Sequence, residues 1–176
     1  NDYFSSHSYN FYSIIKSFKI KNILEIGSFE GNSSMFFARN LTNAKIFCVD
    51  NWIGTEEYNN INFESIESHF DQNVKEFKNI IKLKYTSDEF FKKNNIHFDL
   101  IYIDGYHKAH QVTKDFKNAW STLSKNGVLI FDDYIWNFYD NIEDNPCYAI
   151  NRLLKQITSK FKILKVSNSQ LFIKKL

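Results

Sequence analysis

Five short apolar runs, separated by stretches of helical periodicity, constrain this chain more than any other feature. The runs are Asn22–Ile26 (NILEI), Lys45–Val49 (KIFCV), Ile80–Tyr85, Phe98–Ile103 (FDLIYI) and Val128–Phe131. Each is too short for a helix and rich in branched and aromatic residues, as a buried strand requires. Ahead of them Phe11, Ile14, Ile15 and Phe18 fall at i, i+3, i+4, i+7, the spacing of an amphipathic helix. Between the runs lie a helix over Ser33–Leu41, with Asn32 or Ser33 able to cap it, and a face formed by Phe63, Ile66, Phe70, Val74 and Phe77. Thr86-Ser87-Asp88-Glu89 fits a capping box, and Val112, Phe116, Ala119, Trp120 and Leu123 form another stripe. A last helix, through Ile150, Leu153, Leu154 and Ile157, starts near Pro146, a residue suited to a first turn. Strands alternating with helices predict βαβ units and a parallel sheet covered on both faces. The end breaks the pattern. Phe161–Val166 and Leu171–Lys174 are joined only by residues 167–170, too few for a parallel crossover, so these strands are expected to be antiparallel.

With 176 residues, 18 Phe and 10 Tyr, the chain has material for one substantial core. The expectation is a single domain over residues 1–176, with residues 1–20 as a helical lead-in. The chain opens on Asn1, so a preceding segment is left open. No apolar run reaches the roughly 18 residues of a membrane span, and no signal-peptide pattern is read. Cys48 and Cys147 lack metal-type spacing and read as free thiols in a reducing compartment, hence a cytoplasmic protein. Cys48 falls in a strand pattern and is expected in the core.

The net charge of +2 is too small to announce a nucleic-acid partner. From Arg152 onward there are seven basic residues and no acid. A solvated helix with edge strands explains that tail more simply than an anion-binding patch does.

Chemistry gathers where strands end. After the first strand comes EIGSFEGNS, Glu25 to Ser33. Gly27 and Gly31 there suit a tight turn aimed at a helix N-terminus, where backbone N–H groups can hold an anionic group. The spacing is G-x-x-x-G and not the dinucleotide G-x-G-x-x-G. The second strand ends at Asp50, about twenty residues past the glycine loop, where an acid can accept from ribose hydroxyls. The fourth ends in Asp104 (IYIDGYH) and the fifth in Asp132-Asp133 (LIFDDY). Neighbouring strands run under about 5 Å apart, so these carboxylates can converge. Clustered carboxylates repel unless a proton or cation intervenes, and their oxygens suit a hard divalent ion. Capping of the following loops is the simpler alternative. His107, three places after Asp104, suits a general base near neutral pH, and a structural histidine is the alternative.

Taken together, E-x-G-x-x-x-G-x-S, V-D-N-W, F-D-L-I-Y-I-D-G-Y-H and G-V-L-I-F-D-D-Y resemble the class I S-adenosylmethionine-dependent methyltransferases. They resemble above all the small O-methyltransferase-like group that includes macrocin-type sugar enzymes. The resemblance implies a Rossmann-like α/β fold with a seven-stranded sheet of order 3-2-1-4-5-7-6, strand 7 antiparallel, and helices on both faces. It implies that Gly27, Ser28 and Gly31 line the methionine and ribose side of the cofactor. Ser33 would bind the methionine carboxylate, and Glu25 would lie near the amino group. Asp50 would hold the ribose, with Trp52 flanking the adenine and Ser87 contacting it; Asp104 would also border the cofactor. Asp104, Asp132 and Asp133 match the metal-binding carboxylates of sugar and catechol O-methyltransferases, which implies Mg²⁺ or another divalent cation. His107 stands where catechol-type enzymes carry a catalytic lysine.

These readings predict a metal-assisted O-methyltransferase acting on a small-molecule hydroxyl, a sugar or related metabolite. His107 and Asp104 would be catalytic, with no nucleic-acid partner and homo-oligomerisation left open. The acceptor pocket is expected between Trp52–Tyr58 and Tyr134–Tyr139, whose rings could stack on an acceptor or pack as core. An NAD-dependent oxidoreductase and a non-catalytic cofactor-binding module are the alternatives. The glycine spacing and the final hairpin count against the first. No N/D-P-P-Y signature of amino-group methylation is present.

Overall fold

The alternating runs assemble into one seven-stranded sheet in the computed structural model, which describes residues 4–58, 61–167 and 169–176. The strands are β1 (Asn22–Ile26), β2 (Lys45–Asp50), β3 (Ile80–Lys84), β4 (Phe98–Ile103), β5 (Leu123–Phe131), β6 (Phe161–Ser167) and β7 (Gln170–Lys175). Their order is β3-β2-β1-β4-β5-β7-β6, with β1 to β5 parallel and β7 antiparallel to both neighbours. The implied topology and the hairpin are therefore both present. Residues 1–3 of the expected lead-in, residues 59–60 of the Asn51–Asn62 loop and Asn168 in the hairpin turn lie outside the described residues.

Strand side chains alternate between faces, and the sheet sorts its core accordingly. Leu24, Ile26, Ile101, Ile103, Leu129 and Phe131 face α4 (Ser87–Lys93), α5 (Ala109–Thr122) and α6 (Pro146–Gln156). Ile23, Ile46, Cys48, Leu100, Tyr102 and Ile130 face α1 (Tyr9–Ser17), α2 (Asn32–Asn40) and α3 (Phe63–Val74). A fully buried side chain of this kind contributes about 1.5–3 kcal/mol, so both layers are firmly seated. No helix among the described residues is long and apolar enough to cross a membrane.

Local signals hold at several ends. Thr86 accepts from Glu89 N while the Glu89 carboxylate accepts from Thr86 N, a complete capping box. Pro146 opens α6. Cys48 is fully buried. At the basic end, Lys162 is exposed on the edge strand, where charge discourages edge pairing. Lys175 Nζ donates to the carbonyls of Trp120 and Leu123 at the end of α5.

Two expectations are corrected. The start of α2 is not capped by Asn32 or Ser33. Gly31 occupies the N-cap position in the left-handed region (φ 84°), no side chain caps it, and the Ser33 hydroxyl is engaged elsewhere. The fifth strand starts at Leu123 and not Val128. Leu123 pairs with Phe98, and a register shift separates that pair from Val128 opposite Leu100, so Leu123 closes the helical stripe and opens the strand.

Candidate active site

Strand order reverses between β1 and β4, and there the sheet ladder runs past the strand ends. Gly27 N donates to Val49 O (2.9 Å), Asp104 N to Ile26 O (2.8 Å) and Asp132 N to Ile103 O (2.9 Å). These bonds set Gly27, Asp50, Asp104 and Asp132 side by side on one rim, the usual ligand position of an open α/β sheet. Gly27 is required there. Its φ is 85°, and a Cβ would stand 2.0 Å from Asp104 O. Of the four non-glycine residues with positive φ among the described residues, Phe29, Trp52 and Asp133 all belong to this rim. Such strain gathers at functional sites.

Above the rim is a two-lobed cleft whose lobes meet at Gly27, Phe29, Tyr58 and Asp104. The first lobe, about 290 Å³, has Asp50 on its wall and Ser87 at its far end. Asp50 is held by backbone donors. Oδ2 accepts from Ser28 N and Phe29 N at 3.0 Å each, and Oδ1 from Trp52 N at 2.7 Å. Burial raises its pKa, and those N–H groups oppose the rise. Trp52 is buried. Its Nε1 donates to Phe29 O (2.8 Å) and its ring lies on Phe70 and under Lys82, so it braces the loop from behind while other residues form the lobe wall.

The second lobe, about 480 Å³, is lined by Ser28, Ser33, Glu57, His107, Asp132 and Asp133, among others. Beneath it Glu25 is fully buried and takes three hydroxyl donors: Ser33 on Oε1 (2.5 Å), and Ser28 (2.7 Å) and Ser34 on Oε2. Burial raises the Glu25 pKa against the pull of these serines. Ser28 and Ser33 thus turn their protons away from the lobe and keep only lone pairs for a ligand. Gly31 stands just outside, where a Cβ would come within 3.0 Å of the Phe70 ring and 3.1 Å of Val74 of α3.

The rim carboxylates divide into two groups. Tyr102, fully buried below them, donates to Asp132 Oδ2 and lies 3.1 Å from Asp104 Oδ2. Asp132 Oδ1 accepts from Asp133 N (3.2 Å). Asp132 is therefore tied down from below, while Asp104, Asp133 and His107 can each offer one atom such that all three lie within 4.8 Å of one another. His107 Nε2 is 3.0 Å from Asp133 Oδ2 and 3.8 Å from Asp104 Oδ1, yet it makes no aligned hydrogen bond and is buried. Its Nδ1 meets Glu57 Oε2 at 3.2 Å, and Glu57 also takes the Tyr139 hydroxyl (2.9 Å). A carboxylate that accepts the Nδ1 proton leaves the Nε2 lone pair of the neutral ring facing the cluster, the usual arrangement of a metal-binding histidine.

Electrostatics agree with that geometry. Burial, then the charge of Asp132, pushes Asp104 well above the ordinary carboxylate range, with His107 opposing. Burial and Asp133 raise Asp132. Burial alone would lower His107, but Asp104, Asp133 and Glu57 outweigh it and hold the imidazole protonated well above its ordinary value. The cluster is thus short of positive charge. Two carboxylate oxygens and one imidazole nitrogen, the last without a hydrogen-bond partner, form a donor set that fits a divalent cation.

Of the expected site residues, Gly27, Ser28, Ser33, Asp50, Ser87, Asp104, His107, Asp132 and Asp133 line the cleft. Glu25, Gly31 and Trp52 stand behind its walls. Beyond the sequence reading the cleft adds Gln111 and Asp115, and it draws Glu57 from the Trp52–Tyr58 segment expected to form the acceptor pocket. Glu57 sits in a loop without periodicity, so the segment was expected at the site but nothing singled out this acid within it. Gln111 and Asp115 are spaced i, i+4 beside the apolar stripe of α5, and that polar pair was the available signal. At the mouth Trp136 stacks on Phe138 (6.2 Å, 17°) and approaches His107 (5.3 Å), whereas Tyr134 packs on the core.

The family described as a methyltransferase domain matches residues 24–134, well over half of the chain. An uncharacterized protein, y4gI of Sinorhizobium fredii, is 26% identical over 127 residues, covering 68% of this chain and 14% of that protein. The chain spans half or less of the length of the curated relatives it matches. Among solved structures, the O-methyltransferase TomG from Streptomyces achromogenes, in complex with SAM, superposes with a TM-score of 0.73 at 13% identity. That match covers 97% of this chain and 79% of TomG. An O-methyltransferase from Bacillus cereus in complex with SAH gives a TM-score of 0.70 at 16% identity, covering 99% and 83%. At such identities the likeness is one of fold.

Proposed function

This chain belongs to the methyltransferase-domain family, and from that premise we propose that it transfers a methyl group from S-adenosylmethionine to a small-molecule hydroxyl, assisted by a divalent cation. The observation that carries the reading is the cleft's division of labour. One lobe offers a carboxylate already held by backbone donors, and the other offers two carboxylates and an unpartnered imidazole nitrogen.

In this reading Asp50 accepts from the ribose hydroxyls, and Ser87 borders the base. Ser28 and Ser33, with their protons on Glu25, accept from the methionine ammonium. That differs from the carboxylate-binding role which the sequence resemblance implies for Ser33, because a hydroxyl has only one proton to give. S-adenosylmethionine, when bound, supplies an electrophilic methyl carbon; the cation supplies positive charge that acidifies an acceptor hydroxyl. Asp104, His107 Nε2 and Asp133 would hold that cation, and Glu57 keeps the imidazole proton on Nδ1. Asp132, fixed by Tyr102, borders the same space. Holding the acceptor in line with the methyl carbon is the protein's main contribution, worth up to roughly 7–11 kcal/mol of barrier. The stacked Trp136 and Phe138 suit the flat face of a sugar or an aromatic ring.

His107 as a general base is the second reading, favoured by its 3.0 Å approach to Asp133. It is the weaker one, since Nε2 is also the nitrogen that would hold the cation, and one lone pair cannot serve both tasks. Calorimetry with S-adenosylhomocysteine, NAD and Mn²⁺ or Mg²⁺ separates the proposals. Binding of the first together with a cation, with cation binding lost in Asp133→Asn, supports the proposal. NAD binding alone would reject it, and metal binding unchanged by Asp133→Asn would remove the cation. Failure to form S-adenosylhomocysteine with any hydroxyl acceptor would leave only a binding module.

A further inference from the structure

The cleft is walled by acids. Of the 22 Lys and Arg residues in the chain, none among the described residues lines either lobe. The second lobe carries the carboxylates of Glu30, Glu57, Asp104, Asp132 and Asp133. Glu30 meets His69 Nδ1 at 3.1 Å, and the other four have no lysine or arginine beside them. In the functional reading above, a divalent cation and a sulfonium together bring three positive charges to these four carboxylates, so the lobe stays negative when both are bound. His107 Nε2, buried and without a hydrogen-bond partner, marks the same lobe as a place that receives a ligand.

The mouth continues the pattern. The segment Asp132 to Asp144 has five acids and no base. Within it Trp136 lines the lobe and stacks on Phe138, and the face of such a ring attracts an ammonium as well as a flat neutral group. Lys108, next to His107 in sequence, is held outside the lobe, its Nζ 3.6 Å from Glu56 Oε1 and 5.1 Å from the centre of the Tyr139 ring. An acid and an aromatic ring near this mouth thus already hold one ammonium. The basic run that begins at Arg152 falls mainly on β6 and β7, toward one edge of the sheet.

We infer that the acceptor is a small hydroxyl compound carrying a protonated amine, and that acceptors bearing a phosphate or carboxylate are excluded. The inference rests on the functional reading above, which places the acceptor in the second lobe. An amine brought into this wall meets carboxylates and a ring, while an anion meets carboxylates with no side-chain cation to offset them. Like charges set together in a confined cleft weaken binding by roughly tenfold or more, and the field at the mouth favours the approach of a cation.

The test is calorimetry at pH 7 on the protein saturated with S-adenosylhomocysteine and Mg²⁺, with two matched sets of probes. One set is dopamine, 4-ethylcatechol and 3,4-dihydroxyphenylacetate; the other is glucosamine, glucose and glucuronate. In at least one set the amine is expected to bind roughly tenfold or more tightly than the acid, with the neutral compound between them and the ratio shrinking in high salt. His7→Lys places an ammonium on the lobe wall, away from the residues proposed to hold cofactor and cation, and is expected to narrow the ratio. Thermal melting reports whether that variant folds, and Trp136→Lys is the second variant if it does not. Equal or tighter binding of the acids overturns the inference, as does binding of neither amine while S-adenosylhomocysteine still binds. A ratio unchanged by a folded lysine variant overturns the part given to the wall's charge. Failure to bind S-adenosylhomocysteine itself defeats the functional reading, a result distinct from all of these.

Discussion

The two lobes of the cleft handle the same problem, a carboxylate at a strand tip, in opposite ways. In the first, Asp50 has three backbone N–H donors within 3.0 Å. In the second, Asp104 and Asp133 share one imidazole, and a single phenol serves Asp104 and Asp132 from below. A carboxylate supplied by the backbone is a fixed acceptor for neutral hydroxyls and needs no counter-charge. Carboxylates crowded around so few donors remain costly until more positive charge arrives. The first lobe is therefore complete as it stands, and the second is completed by what binds to it.

The largest expected effect breaks both lobes at once. Gly27→Ala drives a Cβ into the Asp104 carbonyl at a backbone conformation that alanine resists. It should cost about 3 kcal/mol or more in chemical denaturation, with loss of S-adenosylhomocysteine and cation binding together. Retention of either ligand would mean that the lobes do not share a floor.

The next sharpens the first lobe alone. The Asp115 pKa rises from 3.8 to about 6 on folding, so the folded state holds this proton more tightly than the unfolded chain. Stability from this group is full below pH 3.8 and is lost as pH rises through about 6. The loss is about 3 kcal/mol. Asp115→Asn should remove that dependence. Its stability relative to wild type should improve by up to this amount between pH 4 and pH 8, as measured by urea midpoints. A constant difference across that range would show that Asp115 does not titrate in this window.

Glu57→Gln tests the second lobe. Without the carboxylate that orients Nδ1, Mn²⁺ should bind roughly 10- to 100-fold more weakly, while S-adenosylhomocysteine binding in the absence of cation is unchanged. An equal loss of both would make Glu57 a general brace. Smallest is Thr86→Ala, which removes the capping box of α4 beside the first lobe. It should cost about 1 kcal/mol of stability and leave cation binding untouched.

Much of the fold was legible because strands and helices carry periodic signals. Alternating runs gave the parallel sheet, and the brief link after Val166 gave the hairpin. Thr86 and Glu89 announced a helix start that the structure contains in full. Asp50, Asp104, Asp132 and Asp133 were readable because each ends an apolar run. What the sequence hid depends on tertiary approach. Glu57 reaches His107 from fifty positions away, along a loop with no pattern. The engagement of Ser33 with Glu25 decides which way a hydroxyl points, and no spacing rule encodes that direction. The separation of Asp132 from its neighbours likewise depends on Tyr102, which reads in sequence as one more apolar strand residue.

The backbone bonds that continue past β1, β4 and β5 make the cleft floor independent of the loops above it. The segment carrying Trp136 and Phe138 can accordingly be treated as an exchangeable cassette, grafted or randomised to redirect acceptor choice. The segment carrying Glu57 can be varied in the same way only if an acid is kept at that position, because the imidazole below takes its bearing from it.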